Sequence, residues 1–378
     1  MNVLVAIDSF KGSLTSLQAG NAVKEAIIGI DKNAGVVVSP LADGGEGTVE
    51  ALAIGLGGKL VDVAVCGPLT DRVKACYCIL EDSKTAVVEM AAAAGITLIP
   101  AEKRNPLETT TYGVGEIIKD AIKRGCRHFI VGIGGSATND GGTGMLAALG
   151  FNFLDKEGQR IPLGAKGLED LIEISCENVI PELNDCSFRI ACDVTNPLCG
   201  PNGCSAVFGP QKGATPEMIT DMDKWLNNYA DITKTVSDKA EVNHPGVGAA
   251  GGLGFAFYAF TNAVLESGIK IILDETMLEE KIKNADIVVT GEGRLDSQTI
   301  MGKAPIGVAK LAKKHNKKVI AFSGCRTDDA SVCNQHGIDA FFPIIPGVVT
   351  LDEALCTDNA YKNLKNTAEQ VFRLLMLK

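Results

Sequence analysis

The chain has 378 residues, of which 46% are hydrophobic and 22% charged, and its formal net charge is −10 with pI near 5.1. That composition is ordinary for a globular protein, and the length exceeds what one hydrophobic core usually supports, so two domains are expected. The acidic balance argues against a general nucleic-acid binder or a protein that coats anionic membranes, although one basic side chain, a metal and a few backbone amides would still hold a nucleotide phosphate.

The chain opens on a βα pattern. Val3–Ile7 reads as a short buried strand, Asp8-Ser-Phe-Lys-Gly-Ser-Leu-Thr15 as its loop, and Ser16 as the cap of a helix reaching about Ile30. Met1-Asn-Val-Leu-Val-Ala-Ile7 is cut short by Asp8 and lacks a basic start, so no secretory leader is expected. A lysine such as Lys11, four residues past the strand and beside Gly12, can reach a phosphate, and the plain alternative is a solvated lysine. Asp8 at the strand end is a candidate metal ligand or simply a turn aspartate.

A second strand, Val36–Ser39, leads into Leu41-Ala-Asp-Gly-Gly-Glu-Gly-Thr48 and a helix from Thr48 to about Leu56. Asp43 and Glu46 sit close together in a glycine-rich bend. Mg²⁺ suits such a site, because it takes one or two carboxylates plus substrate phosphates. Asp-Gly is also ordinary turn chemistry. Gly44 and Gly45 would let backbone amides approach a cofactor.

The middle of the chain changes style. Val61–Val65, Ala75–Leu80 and Thr85–Met90 read as consecutive strands joined by turns, which implies a mixed or antiparallel sheet. Glu89 interrupts the longest apolar stretch, so no membrane span is expected.

Gly132-Ile-Gly-Gly-Ser-Ala-Thr-Asn-Asp-Gly-Gly-Thr-Gly144 holds six glycines in thirteen positions. It follows the strand-like His128–Val131 and precedes a helix expected at Met145–Leu149. Strand, glycine bend and helix start together form an anion cradle, with Gly134, Gly135 and Ser136 offering amides. Asn139 and Asp140 could orient a substrate hydroxyl or hold a metal.

Further on, Cys192-Asp193-Val-Thr-Asn196-Pro197 follows the strand Phe188–Ala191. Asp193, with Asn196 three residues on, could accept a proton from a substrate alcohol, as in phosphoryl transfer. An Asx-turn before Pro197 explains the same residues equally well. Gly246-Val-Gly-Ala-Ala-Gly251 matches a dinucleotide fingerprint, but His244-Pro245 precede it and no strand leads in, so a structural or substrate-closing loop is expected.

Asp286–Thr290 reads as a strand and Gly291-Glu-Gly-Arg-Leu-Asp296 as its loop. The helix Ala304–His315, strand Lys318–Phe322, loop Ser323–Arg326 and strand Ala340–Ile344 follow. Arg294 and Asp296 could clamp a substrate carboxylate or phosphate, and an inter-domain salt bridge is the plain alternative. The twelve cysteines show neither secreted-disulfide nor zinc spacing, and Cys76, Cys78 and Cys192 read as small buried hydrophobes. A cytoplasmic location is the expectation. There is no Walker A loop and no nucleophile elbow.

Alternating strands and helices at both ends imply an α/β parallel-sheet domain built from residues 1–65 and 285–378, interrupted by an inserted mixed-sheet α/β domain at 66–284.

Five segments, Ala6-Ile-Asp-Ser-Phe-Lys-Gly-Ser13, Ala42–Thr48, Gly132–Gly142, Cys192–Pro197 and Thr290–Asp296, occur in order and together resemble the bacterial type I glycerate kinases. The resemblance covers essentially the whole chain. It implies an ATP-dependent kinase acting on D-glycerate, at the 2-hydroxyl, to give 2-phosphoglycerate. It also implies that the two-ended domain is flavodoxin-like (Rossmann-like) and that the active site lies in the cleft between the domains. On that basis Asp193 is the expected base, with Asn196 beside it. Lys11 and the Gly134–Ser136 amides would hold the phosphoryl group, Arg294 the glycerate carboxylate, and Asp43, Asp8 or Asp296 the Mg²⁺. A homodimer is compatible with this reading, and no nucleic-acid or membrane partner is expected. The rival readings are a kinase for another small hydroxy acid and a non-catalytic metabolite sensor.

Overall fold

Short β-branched runs near each end of the chain become parallel strands, because the amphipathic segments between them form helices long enough to cross over. The computed structural model describes residues 1–41, 49, 52, 53, 56–80 and 84–377. The thirteen strands among the described residues are numbered β1 to β13 in chain order. Two compact units divide the chain: the first 41 residues with Ile269–Lys378, and Gly57–Gly268.

The two-ended unit has five strands: β1 (Asn2–Val5), β2 (Gly35–Val38), β11 (Ile287–Leu295), β12 (Lys318–Arg326) and β13 (Ala340–Pro343). Their order across the sheet is β13-β12-β11-β1-β2, and every pairing is parallel. Counted along this unit that is the 2-1-3-4-5 order of flavodoxin-like sheets. The helices Ser16–Ile30 and Thr357–Leu375 pack together on one face, burying Val23, Ile27, Leu364 and Phe372 against Val5, Val289 and Phe322. The helix Ala304–Lys314 packs against β11 and β12.

Thr15, not Ser16, caps the first helix. Gln18 N donates to Thr15 Oγ1 at 3.2 Å and Thr15 N donates to Gln18 Oε1 at 2.9 Å. Ser16 is buried, and its hydroxyl donates to Ile7 O at 2.5 Å and accepts from Leu41 N at 2.8 Å. Val49, Leu52, Ala53 and Leu56 are helical, and the other residues of the helix expected there lie outside the described set.

One expectation is corrected in this sheet. Gly291–Leu295 and Ser323–Arg326 read as loops, yet both continue their strands, paired in register as far as Leu295 with Arg326. Glycine is needed there by close approach: a Cβ on Gly291 would collide with Phe322 O.

The Gly57–Gly268 unit carries a six-stranded sheet in the order β10-β9-β6-β5-β4-β3. These strands are β3 (Lys59–Cys66), β4 (Arg72–Leu80), β5 (Thr85–Glu89), β6 (His128–Gly132), β9 (Ser187–Ala191) and β10 (Ala263–Glu266). The β3–β4 and β4–β5 pairs are antiparallel, and β5, β6, β9 and β10 run parallel. A small antiparallel pair, β7 (Asn152–Leu154) with β8 (Glu173–Ser175), lies apart. All of β3 pairs within this sheet, and the helices Gly268–Glu275 and Leu278–Lys283 fall in the other unit apart from Gly268, so the last crossing into this unit lies at 56/57 and the crossing out of it at 268/269, while Val49 also belongs to it.

The core of this unit is aromatic. Phe188 stacks on Phe129 at 4.8 Å between ring centroids and meets Phe257 at 5.5 Å. Among the described residues no helix is long and apolar enough to cross a membrane.

Phe188→Ala should cost about 3–5 kcal/mol, since it opens a cavity at a site where rings meet from two sides. The single tryptophan, Trp225, lies in the same unit and reports its unfolding in urea. A loss under about 1 kcal/mol would contradict this packing.

Candidate active site

Three parallel strands of the six-stranded sheet end level with one another: Glu89 pairs with Gly132, and Gly132 with Ala191. Whatever follows these strands leaves from one carboxyl edge, the place where open α/β sheets bind ligands. The glycine-rich run thus emerges beside Cys192-Asp193.

The glycine loop is stitched down on one side. Ile96 N donates to Gly135 O at 2.8 Å, Ala137 N to Ala94 O at 2.9 Å, and Thr109 Oγ1 to Ala137 O at 2.9 Å. Gly135 has φ +73°, a conformation few side chains adopt. Gly134 and Gly135 are exposed, and Ser136 is almost buried. The N–H groups of Gly134, Gly135 and Ser136 donate to no other described residue. Three consecutive amides left this way are the kind of feature that an anion cradle is built from.

The helix that follows is short, Thr143–Ala148, and its start is already closed. Asp140 is fully buried. Its Oδ2 accepts from Thr111 N and Thr111 Oγ1 at 2.8 Å each, from Thr110 Oγ1 at 3.4 Å and from Gly144 N at 3.3 Å, while Oδ1 accepts from Gly142 N at 3.1 Å. Met145 N donates to Thr111 Oγ1 at 2.9 Å. The helix terminus expected to bind an anion is therefore satisfied from within, whereas the Gly134–Ser136 amides have no partner among the described residues. Burial raises the Asp140 pKa and these hydrogen bonds oppose the rise. Asn139 is buried too, and its amide nitrogen donates to Ser205 Oγ at 2.9 Å. Both side chains point into the protein and act on the loop.

Gly246–Gly251 is part of the same scaffold. Ala250, Gly251 and Gly252 have positive φ, Gly141 N donates to Gly251 O at 2.9 Å, and a Cβ on Gly251 would collide with Thr138 O. This run supports the loop from beneath.

Asp193 is exposed, and its Oδ1 accepts from Gly268 N at 3.1 Å, just past the end of β10. Asn196 shapes the turn that follows: its Nδ2 donates to Asn202 O at 2.8 Å and its carbonyl accepts from Gly248 N at 3.0 Å. Glu89 was not singled out from the sequence, yet it stands at the same edge and accepts from Val49 N at 2.9 Å.

The five-stranded sheet carries a second polar edge. Asp8 is buried, and its N–H donates to Gly291 O at 2.9 Å, which carries the β1–β11 register on to Asp8 beside Glu292. Ser323 pairs with Glu292 on the other side. Glu292 accepts from Thr299 Oγ1 at 2.6 Å and lies 3.6 Å from Lys303 Nζ. Burial raises its pKa, against the pull of Thr299 and Lys303. Arg294 Nε is 3.4 Å from Asp296 Oδ2, and Lys303 Nζ is 3.9 Å from Asp296 Oδ1. Lys11 is exposed at the tip of the Phe10–Leu14 turn, whose backbone lies against Gly293. Glu292 was legible only as one letter of a motif, and Lys303 as the residue before a helix.

Asp43, Gly44 and Gly45 lie outside the described residues. Among the described residues no three His, Cys, Asp or Glu side chains are grouped to hold a metal ion. Mg²⁺ needs only one or two protein carboxylates when phosphates complete its shell. Asp296 already faces two cations. Asp8 and Glu292 are buried carboxylates that neighbour each other in register, the hard oxygen chemistry Mg²⁺ takes.

Against known proteins, the sequence profile of the glycerate kinase family matches residues 3–376. A glycerate kinase from Haemophilus influenzae is 47% identical over 378 residues, all of both chains. A glycerate 2-kinase from Escherichia coli K12 is 47% identical over 377 residues, 100% of this chain and 98% of its own. The crystal structure named glycerate kinase 2 from Salmonella typhimurium LT2 superposes with a TM-score of 0.92 at 47% identity, over 99% of this chain and 98% of that one. With the glycine cradle, the Asp193 turn and the Glu292 strand present along a full-length match, the chain belongs to the glycerate kinase family.

Proposed function

We propose that this chain transfers the γ-phosphoryl group of ATP to the 2-hydroxyl of D-glycerate, giving 2-phosphoglycerate and ADP. The observation that carries this reading is the placing, at one sheet edge, of three amides at Gly134–Ser136 with no partner among the described residues and the carboxylate of Asp193 at the neighbouring strand's exit. Family membership supports glycerate as the substrate, and the name of the Escherichia coli relative, glycerate 2-kinase, is consistent with the 2-position.

Phosphoryl transfer asks mainly for positioning and charge neutralisation. Asp193 takes the proton from the attacking hydroxyl, held in place by the Gly268 N–H. Asn196 keeps the turn that aims it. The Gly134–Ser136 amides hold the transferring group's oxygens, and Lys11 adds positive charge. Arg294 binds the glycerate carboxylate with its planar fork. Asn139 and Asp140 act through the shape of the loop. Mg²⁺, when bound, neutralises phosphate oxygens. Asp8 and Glu292 would hold it.

ADP release from Mg-ATP should depend on D-glycerate, and the phosphorus NMR signal of the product should be a doublet, because C2 carries one proton. A triplet would assign the 3-hydroxyl. Silence with glycerate alongside turnover of another hydroxy acid would shift the substrate, and nucleotide binding with no turnover of any acid would favour a sensor.

Asp193→Asn should lower kcat by about 10²–10⁴-fold with the fold intact, the usual contribution of a general base. Near-normal turnover would remove Asp193 from that role.

Glu292→Gln should separate stability from activity. The folded chain holds this proton more tightly than the unfolded chain, so ionisation opposes folding increasingly as pH rises above the ordinary glutamate range. The variant should be more stable than the parent at neutral pH, with the difference fading in acid, and should lose about 10-fold or more in kcat. Calorimetry across pH would expose the opposite sign.

A further inference from the structure

Lys212 is the one lysine among the described residues that is almost wholly buried, with 1% exposure. It sits in the short helical turn Pro210–Lys212 and belongs to none of the motifs that carry the family resemblance. Its Nζ donates to Thr138 O at 2.6 Å. A buried ammonium with one hydrogen bond is costly, and such costs persist where function depends on them.

Its position explains what it does. A trans peptide points its C=O and N–H in opposite directions. Holding Thr138 O toward Lys212 turns the Asn139 N–H the other way, and fixes the peptide between the Gly134–Ser136 amides and Asp140. The loop is thus held by a buried cation at Thr138 and a buried carboxylate at Asp140, two residues apart.

We infer that Lys212 is a positioning residue for the phosphate-binding loop, its buried ammonium fixing the Thr138 peptide and placing a positive charge within the scaffold of the anion cradle. This rests on the reading of Gly134–Ser136 as that cradle.

The groups that act on Lys212 are Cys204, from the helix Cys204–Phe208, and Asp140, from the loop. Both favour its charged form, and burial outweighs them, so its pKa falls to about 8. The unfolded lysine keeps its proton to near 10.5. Between these values the unfolded chain binds more protons, so stability from this group rises with pH while the loop loses its cation. A merely structural lysine would not make stability and ligand affinity move in opposite directions.

The test is ADP binding by calorimetry, which needs no turnover. Wild-type affinity should weaken as pH rises from about 7 to about 9.5, while the Trp225 unfolding midpoint does not fall. Lys212→Met, close in length and neutral, should bind ADP tenfold or more weakly at neutral pH, keep an unfolding midpoint no lower than the parent's, and show no such pH dependence. Equal affinity in the two proteins would overturn the inference, as would a wild-type affinity flat across that range. The wild-type comparison decides the matter alone if the variant does not fold. Absence of ADP binding by the wild type would overturn the cradle reading and this inference with it, whereas ADP binding without glycerate turnover would count against the substrate reading only.

Discussion

The site in the six-stranded unit depends on one buried carboxylate. Asp140 collects five donors from Thr110, Thr111, Gly142 and Gly144. Hydrogen bonds to a charged group contribute about 1.5–3 kcal/mol each, which is the scale needed to offset the several kcal/mol that burying such a charge costs. Because two of these donors, Gly142 N and Gly144 N, are amides that the start of the Thr143–Ala148 helix would otherwise leave open, Asp140 closes that helix start. The open amides lie earlier, at Gly134–Ser136. One side chain thereby decides which amides of a glycine-rich run are already bonded within the protein.

Sheet register does the rest. Strands that end level at Glu89, Gly132 and Ala191 bring the glycine-rich run and Asp193 to one edge, although Gly132 and Ala191 are far apart in sequence. In the five-stranded sheet the same logic aligns Asp8, Glu292 and Ser323. A buried carboxylate beside a lysine and a threonine hydroxyl is poor for stability and good for chemistry, which is the pattern expected where function overrides local rules.

Much of this was legible in the sequence. The β-branched runs and the helical period at Ser16–Ile30 marked the α/β alternation, and glycine after a strand marked the loop that leaves β6. Gly291–Leu295 was misread because glycine and charge are loop signals locally, whereas the parallel ladder to β12 makes the segment a strand. Asp140 and Asn139 looked like ligands because burial does not show in a motif. Lys212 carried no local signal at all, since its contact with Thr138 joins segments that meet only in the fold.

The central claim is that Gly134–Ser136, and not the helix start after them, receives the phosphate. The most direct measurement is amide hydrogen exchange with and without saturating ADP. Protection should appear at Gly134, Gly135 and Ser136, with the already bonded amides of Gly144 and Met145 unchanged. Unchanged exchange at Gly134–Ser136 in the ADP-bound protein would contradict it.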